Sequence, residues 1–150
     1  LMTKEIVALT DEYIKSLENY LNNPNDDIRI MAAKEVLTRL DEDKSRFNDA
    51  ALNALLNKMV QDPAKIVRVA ALSAFSSGLA SGNDYTLKLL NDIQNNPEAD
   101  KEDALEVAEI LLKMSQSKEK ITVENTTNKI EQINVQQDIN NNAETVKADA

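Results

Sequence analysis

Three prolines, Pro24, Pro63 and Pro97, punctuate this 150-residue chain, and the segments in front of them constrain the fold more than any other feature. Aligned on the proline, YIKSLENYLNNP, LNALLNKMVQDP and TLKLLNDIQNNP match without gaps. Four residues before it stand Tyr20, Met59 and Ile93; seven before it, Leu17, Leu56 and Leu90; eight before it, Ser16, Leu55 and Leu89. That spacing marks one face of an α-helix. A residue that precedes proline is pushed out of the α region, so the helices are expected to stop at Asn23, Asp62 and Asn96, with the proline opening the next helix.

Beyond the first two prolines the register persists. Arg29 and Arg68 lie 39 residues apart, as Pro24 and Pro63 do, and each follows a β-branched residue and precedes Ala32 or Ala71 by three. The second helices then read Ile28, Ala32, Val36, Leu40 and Val67, Ala71, Phe75, Leu79 along matching faces. The third unit departs: Glu102 takes the arginine position, and DALEVAEILLKM fits only after a slip of a few residues. The reading is six helices in three pairs, over 11–22 (with a short helical lead from Thr3) and 26–40, 46–61 and 64–78, and 84–95 and 99–117. DEDKS and SGND are loops, with Gly78 and Gly82 suited to ending helices.

Composition agrees with an all-α fold. There are 2 Gly and only 3% aromatic residues, too few for the turns and strands of a sheet protein. The chain has no Cys and no His, which removes thiolate nucleophiles, the usual zinc ligands and the usual general base at neutral pH. A net charge of −9 repels phosphate backbones and anionic membranes, so neither nucleic acid nor membrane is expected as a partner. No stretch approaches the roughly 18 apolar residues of a membrane span, and the expected location is cytoplasmic.

The punctuation itself resembles a known family. Asp62-Pro63 followed by Val67-Arg68 and Ala71 is similar to the HEAT repeat, an armadillo-type helical repeat marked by an Asp-Pro turn, a Val-Arg pair and then a small residue. Asn23-Pro24 with Ile28-Arg29 and Ala32 matches with Asn for Asp. The resemblance implies a short right-handed α-solenoid of about three helix pairs over residues 1–118. It also implies a structural ladder in which Asp62, Arg68 and Arg29 bond within or between repeats. Residues 119–150, rich in Asn, Gln and Thr, are expected to form a disordered tail, in which Ile130, Ile133 and Val135 could seed a short element.

No motif for chemistry survives inspection. Asp41-Glu42-Asp43-Lys44-Ser45 starts like a calcium loop, but Arg46 and Leu52 stand where Gly and Glu are needed. Glu98, Asp100, Glu102 and Asp103 suit a helix start, where carboxylates meet the dipole. SSGLASGND lacks the Gly-Lys-Ser/Thr of a phosphate loop. The expectation is a protein with no catalytic residues, no metal and no cofactor.

What remains is a surface. In HEAT-like stacks the second helices line one side, and here they would present Ile30, Lys34 and Thr38, then Val69, Ser73 and Ser77, and from the third pair Glu106, Glu109 and Lys113. The expected function is a non-catalytic protein-protein interaction module, an adaptor or scaffold, that binds a protein partner there as a monomer or weak homo-oligomer. The alternative is a structural fragment or capped end of a longer helical-repeat assembly, packing on further repeats or on a second copy.

Overall fold

The computed structural model describes residues 4–119, with side chains described through residue 116. Residues 1–114 form one compact unit; of a second unit, 115–150, only the end of the last helix is described. The expected tail falls outside the described residues.

The described chain is all-helical, without a strand. Its elements are α1 (Asp11–Leu21), α2 (Asp26–Asp41), a 3-10 helix (Lys44–Asn48), α3 (Ala50–Val60), α4 (Lys65–Ser76), α5 (Asp84–Gln94) and α6 (Lys101–Glu119). Side-chain oxygens set the starts. Thr10 accepts from Tyr13 N–H, Asn25 from Asp27 N–H and Asp49 from Leu52 N–H, each satisfying a donor the first turn leaves free. Asn83 and Thr86 form a reciprocal capping box on α5.

The first helices end at Leu21, Val60 and Gln94, two residues earlier than expected in every unit, and the prolines do not open the next helices. The reason is a turn the three units share. Asn23 Oδ1 accepts from Asn25 N–H at 2.8 Å, Asp62 Oδ1 from Ala64 N–H at 2.8 Å and Asn96 Oδ1 from Glu98 N–H at 2.9 Å. The side chain before each proline thus holds the backbone beyond it in an Asx turn, which competes with helix on both sides.

Two other expectations need correction. The helix expected over 46–61 is broken, because Asp43 caps a separate 3-10 turn through Ser45 N–H and Asp49 then caps a new helix. No helix leads into α1 either. Residues 4–10 are not helical: Val7 N–H donates to Glu42 Oε2 at 3.0 Å, and its carbonyl accepts from Arg46 Nη2 at 2.5 Å.

Packing runs pair by pair. α1 packs on α2 and α3 on α4, while α1 lies against α3, α2 against α4, and α3 against α5. Helix α3 sits at the centre and buries Leu52, Leu55, Leu56, Met59 and Val60, whereas outer helix α1 buries only Leu17 and Leu21. Tyr20, aligned with buried Met59, is accordingly 47% exposed. Of the faces read for α2 and α4, Ala32, Val36, Leu40, Val67, Ala71 and Phe75 are buried, and Ile28 and Leu79 are half-buried.

One buried polar group went unread in the sequence. Asn53 and Asn57 lie a turn apart on α3, at 2% and 3% exposure. Asn53 donates to the carbonyls of Phe47 and Asp49 and accepts Gly82 N–H at 2.8 Å. Asn57 donates to Asn83 Oδ1 at 3.0 Å and accepts from the fully buried Thr86 hydroxyl at 2.6 Å. Gly82, at φ +72°, permits this approach, since an added Cβ would stand 3.1 Å from Thr86 Cγ2. The two amides thereby fasten the α4–α5 loop to α3 with their polar atoms satisfied. Replacement Asn57→Ala removes both of its bonds and is expected to cost about 1–3 kcal/mol in urea unfolding. The exposed Asn91→Ala serves as control and should stay within about 0.5 kcal/mol.

Candidate functional site

Arg29 on α2 and Arg68 on α4 each join two units. Arg29 Nη1 donates to Asn23 O at 2.9 Å, within its own unit. Its Nε and Nη2 meet Asp62 Oδ2 and Oδ1 at 2.9 and 3.2 Å, a forked contact with the next unit, and Nη2 also reaches Asp26 at 2.5 Å. The Arg29 and Asp62 side chains are only 9% and 8% exposed. Arg68 repeats the arrangement: Nη1 donates to the carbonyls of Asp62 and Pro63, and Nε to Asp103 Oδ2 at 2.6 Å. The structure therefore brings Arg29, Asp62 and Arg68 into one series through the turn at Asp62. Its last carboxylate, Asp103, could not be read from alignment, because it sits in α6 and not beside Pro97.

These contacts set several protonation equilibria. The hydrogen bonds that Arg29 donates to Asp62 and Asp26 hold its guanidinium above its usual value. Asp100 is held below the carboxylate range by the N–H of Asp103 and by Lys65. Burial pushes Glu42 up, but Val7 N–H, Arg46 and Arg39 outweigh it and leave the carboxyl below its ordinary value. The Tyr13 hydroxyl is raised by burial and by its bond to Glu35 at 2.9 Å.

The series also puts the second helices in register. Lys65 pairs with Glu102 near one end of α4, and Lys113 donates to the Ser76 carbonyl at the other, at 2.8 Å. Both contacts span 37 positions, so α4 and α6 run side by side in one direction. Matching the buried positions Val67, Ala71 and Ala74 to Asp103, Val107 and Ile110 gives a step of 36.

On the face away from the core, Lys34, Thr38, Val69 and Ser77 are exposed, as are Met31 and Ile66. Ile30 is half-buried and packs on the core, and Ser73 is half-buried with its hydroxyl donated to the Ala70 carbonyl. From α6 the outward residues are Leu105, Glu109 and Leu112; Glu106 is half-buried, and Lys113 is engaged by α4. Leu105 and Leu112 are 66% and 64% exposed, more than any other large apolar side chain described. Both were missed because the slip in the third unit hid their equivalence to α2 and α4. Spacing within α6 alone could have found them, since seven residues are close to two helical turns.

A groove of about 460 Å³ lies between the start of α1 and the start of α3, lined by Leu9, Ile14, Ala50 and Ala51 with Asp11, Lys15, Glu18 and Asp49, and none of the surface residues above lines it. Among the described residues, no group of three or more Asp, Glu, His or Cys side chains could hold a metal ion. Within the acidic run at α6, Asp100 caps Asp103 N–H, Glu102 takes Lys65 and Asp103 takes Arg68 through Oδ2. Asp41 binds Lys44, and Asp43 caps Ser45. No described helix is long and apolar enough to cross a membrane. Comparison with family models, with curated proteins and with solved structures gives no match to this chain.

Two outcomes follow for the series. Asp62→Ala leaves the buried Arg29 guanidinium without its fork and should cost on the order of 3–5 kcal/mol, while Asp26→Ala, at a carboxylate 67% exposed, should cost under about 1 kcal/mol by the same unfolding assay. The pH dependence has a definite sign. Asp100 and Glu42 have depressed folded values, so their contribution is present above the ordinary carboxylate range and is lost as pH falls through the folded values. The melting temperature should therefore hold from neutrality to about pH 5 and drop below about pH 4, with a shallower drop in the Glu42→Gln variant.

Proposed function

We propose that this chain is a small HEAT-like stack of three helix pairs, a right-handed α-solenoid, that works as a protein-protein interaction module without chemistry of its own. The order of contacts supports the architecture: first helices lie against first helices and α2 lies against α4, with Asx-Pro turns and arginine forks recurring from unit to unit. A stack of this kind offers an extended surface rather than a pocket.

One observation carries the functional reading. Ile66, Val69, Leu105 and Leu112 stand 44% to 66% exposed on the outward side of two adjacent second helices. Aliphatic surface of that kind is the mark of a docking site. Lys34 and Thr38 on α2, with Ser73 and Ser77 on α4, supply polar groups around it, and Ile30 extends the aliphatic row onto α2.

The test is partner capture from native extract by the full chain and by its variants, with circular dichroism and melting as controls. Val69→Asp and Leu105→Asp should each reduce the recovery of the main bound protein at least tenfold while helicity and melting stay unchanged. Recovery that falls only together with helicity, or that does not change, would remove the function from this face.

A further inference from the structure

The groove between the starts of α1 and α3 lies where the stack departs from its own repeat. First helices recur at a step of 39 from α1 to α3 and of 34 from α3 to α5, as the prolines do. On those steps Ile14 and Glu18 of α1 stand where α3 has Asn53 and Asn57, and Asp49 stands where Asn83 caps α5. At the α3–α5 seam the two asparagines reach Gly82 N–H, Asn83 and the Thr86 hydroxyl. At the α1–α3 seam the Asp49 carboxylate accepts from Leu52 N–H on its own helix, and among the described residues no side-chain hydrogen bond joins α1 to α3. The seam without fasteners is the one that opens into a groove of about 460 Å³.

Two kinds of surface line it. Leu9, Ile14, Ala50 and Ala51 are apolar, and Leu9 and Ile14 are half-buried against the core. Asp11, Glu18 and Asp49 bring carboxylates and Lys15 one ammonium, and none of the four enters an ion pair among the described residues. Asp11 and Asp49 sit at helix starts, each of which carries about half a positive charge. With Lys15 these starts offset about two of the three negative charges, and Glu18, two turns into α1, is left over. Just outside the lining, Glu12 adds a further carboxylate. Lys58 lies two turns past Ala51 on α3, roughly 10 Å along the helix and so beyond the screening length of about 8 Å. Of the other cations on that side, Lys4 acts on Asp41 and Asp43, and Lys44 binds Asp41. The groove is negative on balance, in a chain whose net charge is −9.

Apolar walls with a surplus carboxylate match a side chain that is aliphatic along its stem and cationic at its tip. Arginine fits this best. Its methylenes pack on Leu9, Ile14 and the alanines, and its fork offers a carboxylate two N–H groups at once. The volume exceeds a single side chain and falls in the range of preformed ligand clefts, which leaves room for an aliphatic neighbour. We infer that the α1–α3 groove is a docking site for a peptide segment of a protein partner that carries an arginine beside an aliphatic residue. It shares no residue with the second-helix face and does not rest on that reading.

The experiment is a titration of the full, isotope-labelled chain with the peptide acetyl-Leu-Arg-Leu-amide at physiological salt, followed through backbone amide shifts. Acetyl-Leu-citrulline-Leu-amide, of the same shape without the charge, is the comparison. The arginine peptide should shift Ile14, Ala50 and Ala51 with a Kd of about 1 mM or lower, and the citrulline peptide should bind about fivefold more weakly or worse. Glu18→Gln should weaken the arginine peptide about fivefold, whereas Glu12→Gln, at an exposed carboxylate outside the groove, should change it by less than about twofold. Ala50→Trp, which sets an indole over the exposed end of the apolar wall, should abolish the shifts while helicity and melting hold. Several outcomes overturn the inference: no shift up to about 5 mM, shifts spread over the acidic surface instead of the groove, equal binding of the citrulline peptide, or equal effects of Glu18→Gln and Glu12→Gln. Val69→Asp should leave the titration unchanged, so failure at the groove and failure at the second-helix face are told apart.

Discussion

The arginine fork at the Asx-Pro turn is the interaction on which the contacts between successive helix pairs depend. Arg29 reaches back to the Asn23 carbonyl at the end of its own first helix and forward to the Asp62 carboxylate of the next unit. Asp62 in turn holds the turn after Pro63, and its carbonyl is bound by Arg68. A shift in one unit's helix ends would therefore unmake bonds in two units. Forked, charge-assisted bonds demand narrow geometry, so their main consequence is the relative position of successive pairs. Burying such a pair carries a desolvation cost that its Coulomb energy offsets only in part, and an apolar contact of equal volume could stabilise as well. It would not specify the register.

At the opposite end of the helices the same task falls to uncharged groups. Asn53 and Asn57 on α3 hold the backbone around Gly82 and the cap of α5 through amide and hydroxyl bonds at 2% and 3% exposure. Neutral amides avoid the cost of burying ions, yet an unfilled bond there would be expensive. With both ends of the helices fastened, the second helices become a platform whose outward residues are held at set spacings. Lys34, Ser73 and Glu109 acquire a relation to one another that exists only because Arg29, Arg68, Lys65 and Lys113 keep three helices in step.

Much of the helix content was legible. Residues before each proline recur with the period of a helix face, and the caps Thr10, Asn25, Asp49 and Asn83 are of the types that start helices. The break at Asp49 was harder to see, because a propensity reading treats Arg46 to Gln61 as one amphipathic run, and only the side chains of Asp43 and Asp49 turn it into two elements. Val7 was harder still. Its extended course is held by Glu42 and Arg46, 35 and 39 positions away, and no local pattern encodes that. On the candidate face, Lys34, Thr38, Val69 and Ser77 were readable as outward positions of a regular helix, whereas Ile30 and Ser73 are half-buried by neighbours that the period does not reveal.

By itself the sequence determined an all-α chain with three Asx-Pro turns, no cysteine or histidine and an acidic balance, because helix period, proline sterics and composition are local properties. The tertiary structure alone decided which carboxylate ends the arginine series: Asp103 on α6 receives Arg68, while Asn96, the residue aligned with Asp62, closes only its own turn. It also decided that Leu105 and Leu112 stand exposed on α6 while Glu106 is half-buried and the exposed Lys113 is bound to the Ser76 carbonyl. The physical reason is the same in both cases. The third unit has a shorter step and no arginine of its own, so its helix rotates until Val107 and Ile110 are buried and Asp103 meets the waiting guanidinium. The pairing of Arg68 with Asp103 across two units leaves no trace in spacing along the chain, whereas the seven-residue interval between Leu105 and Leu112 does.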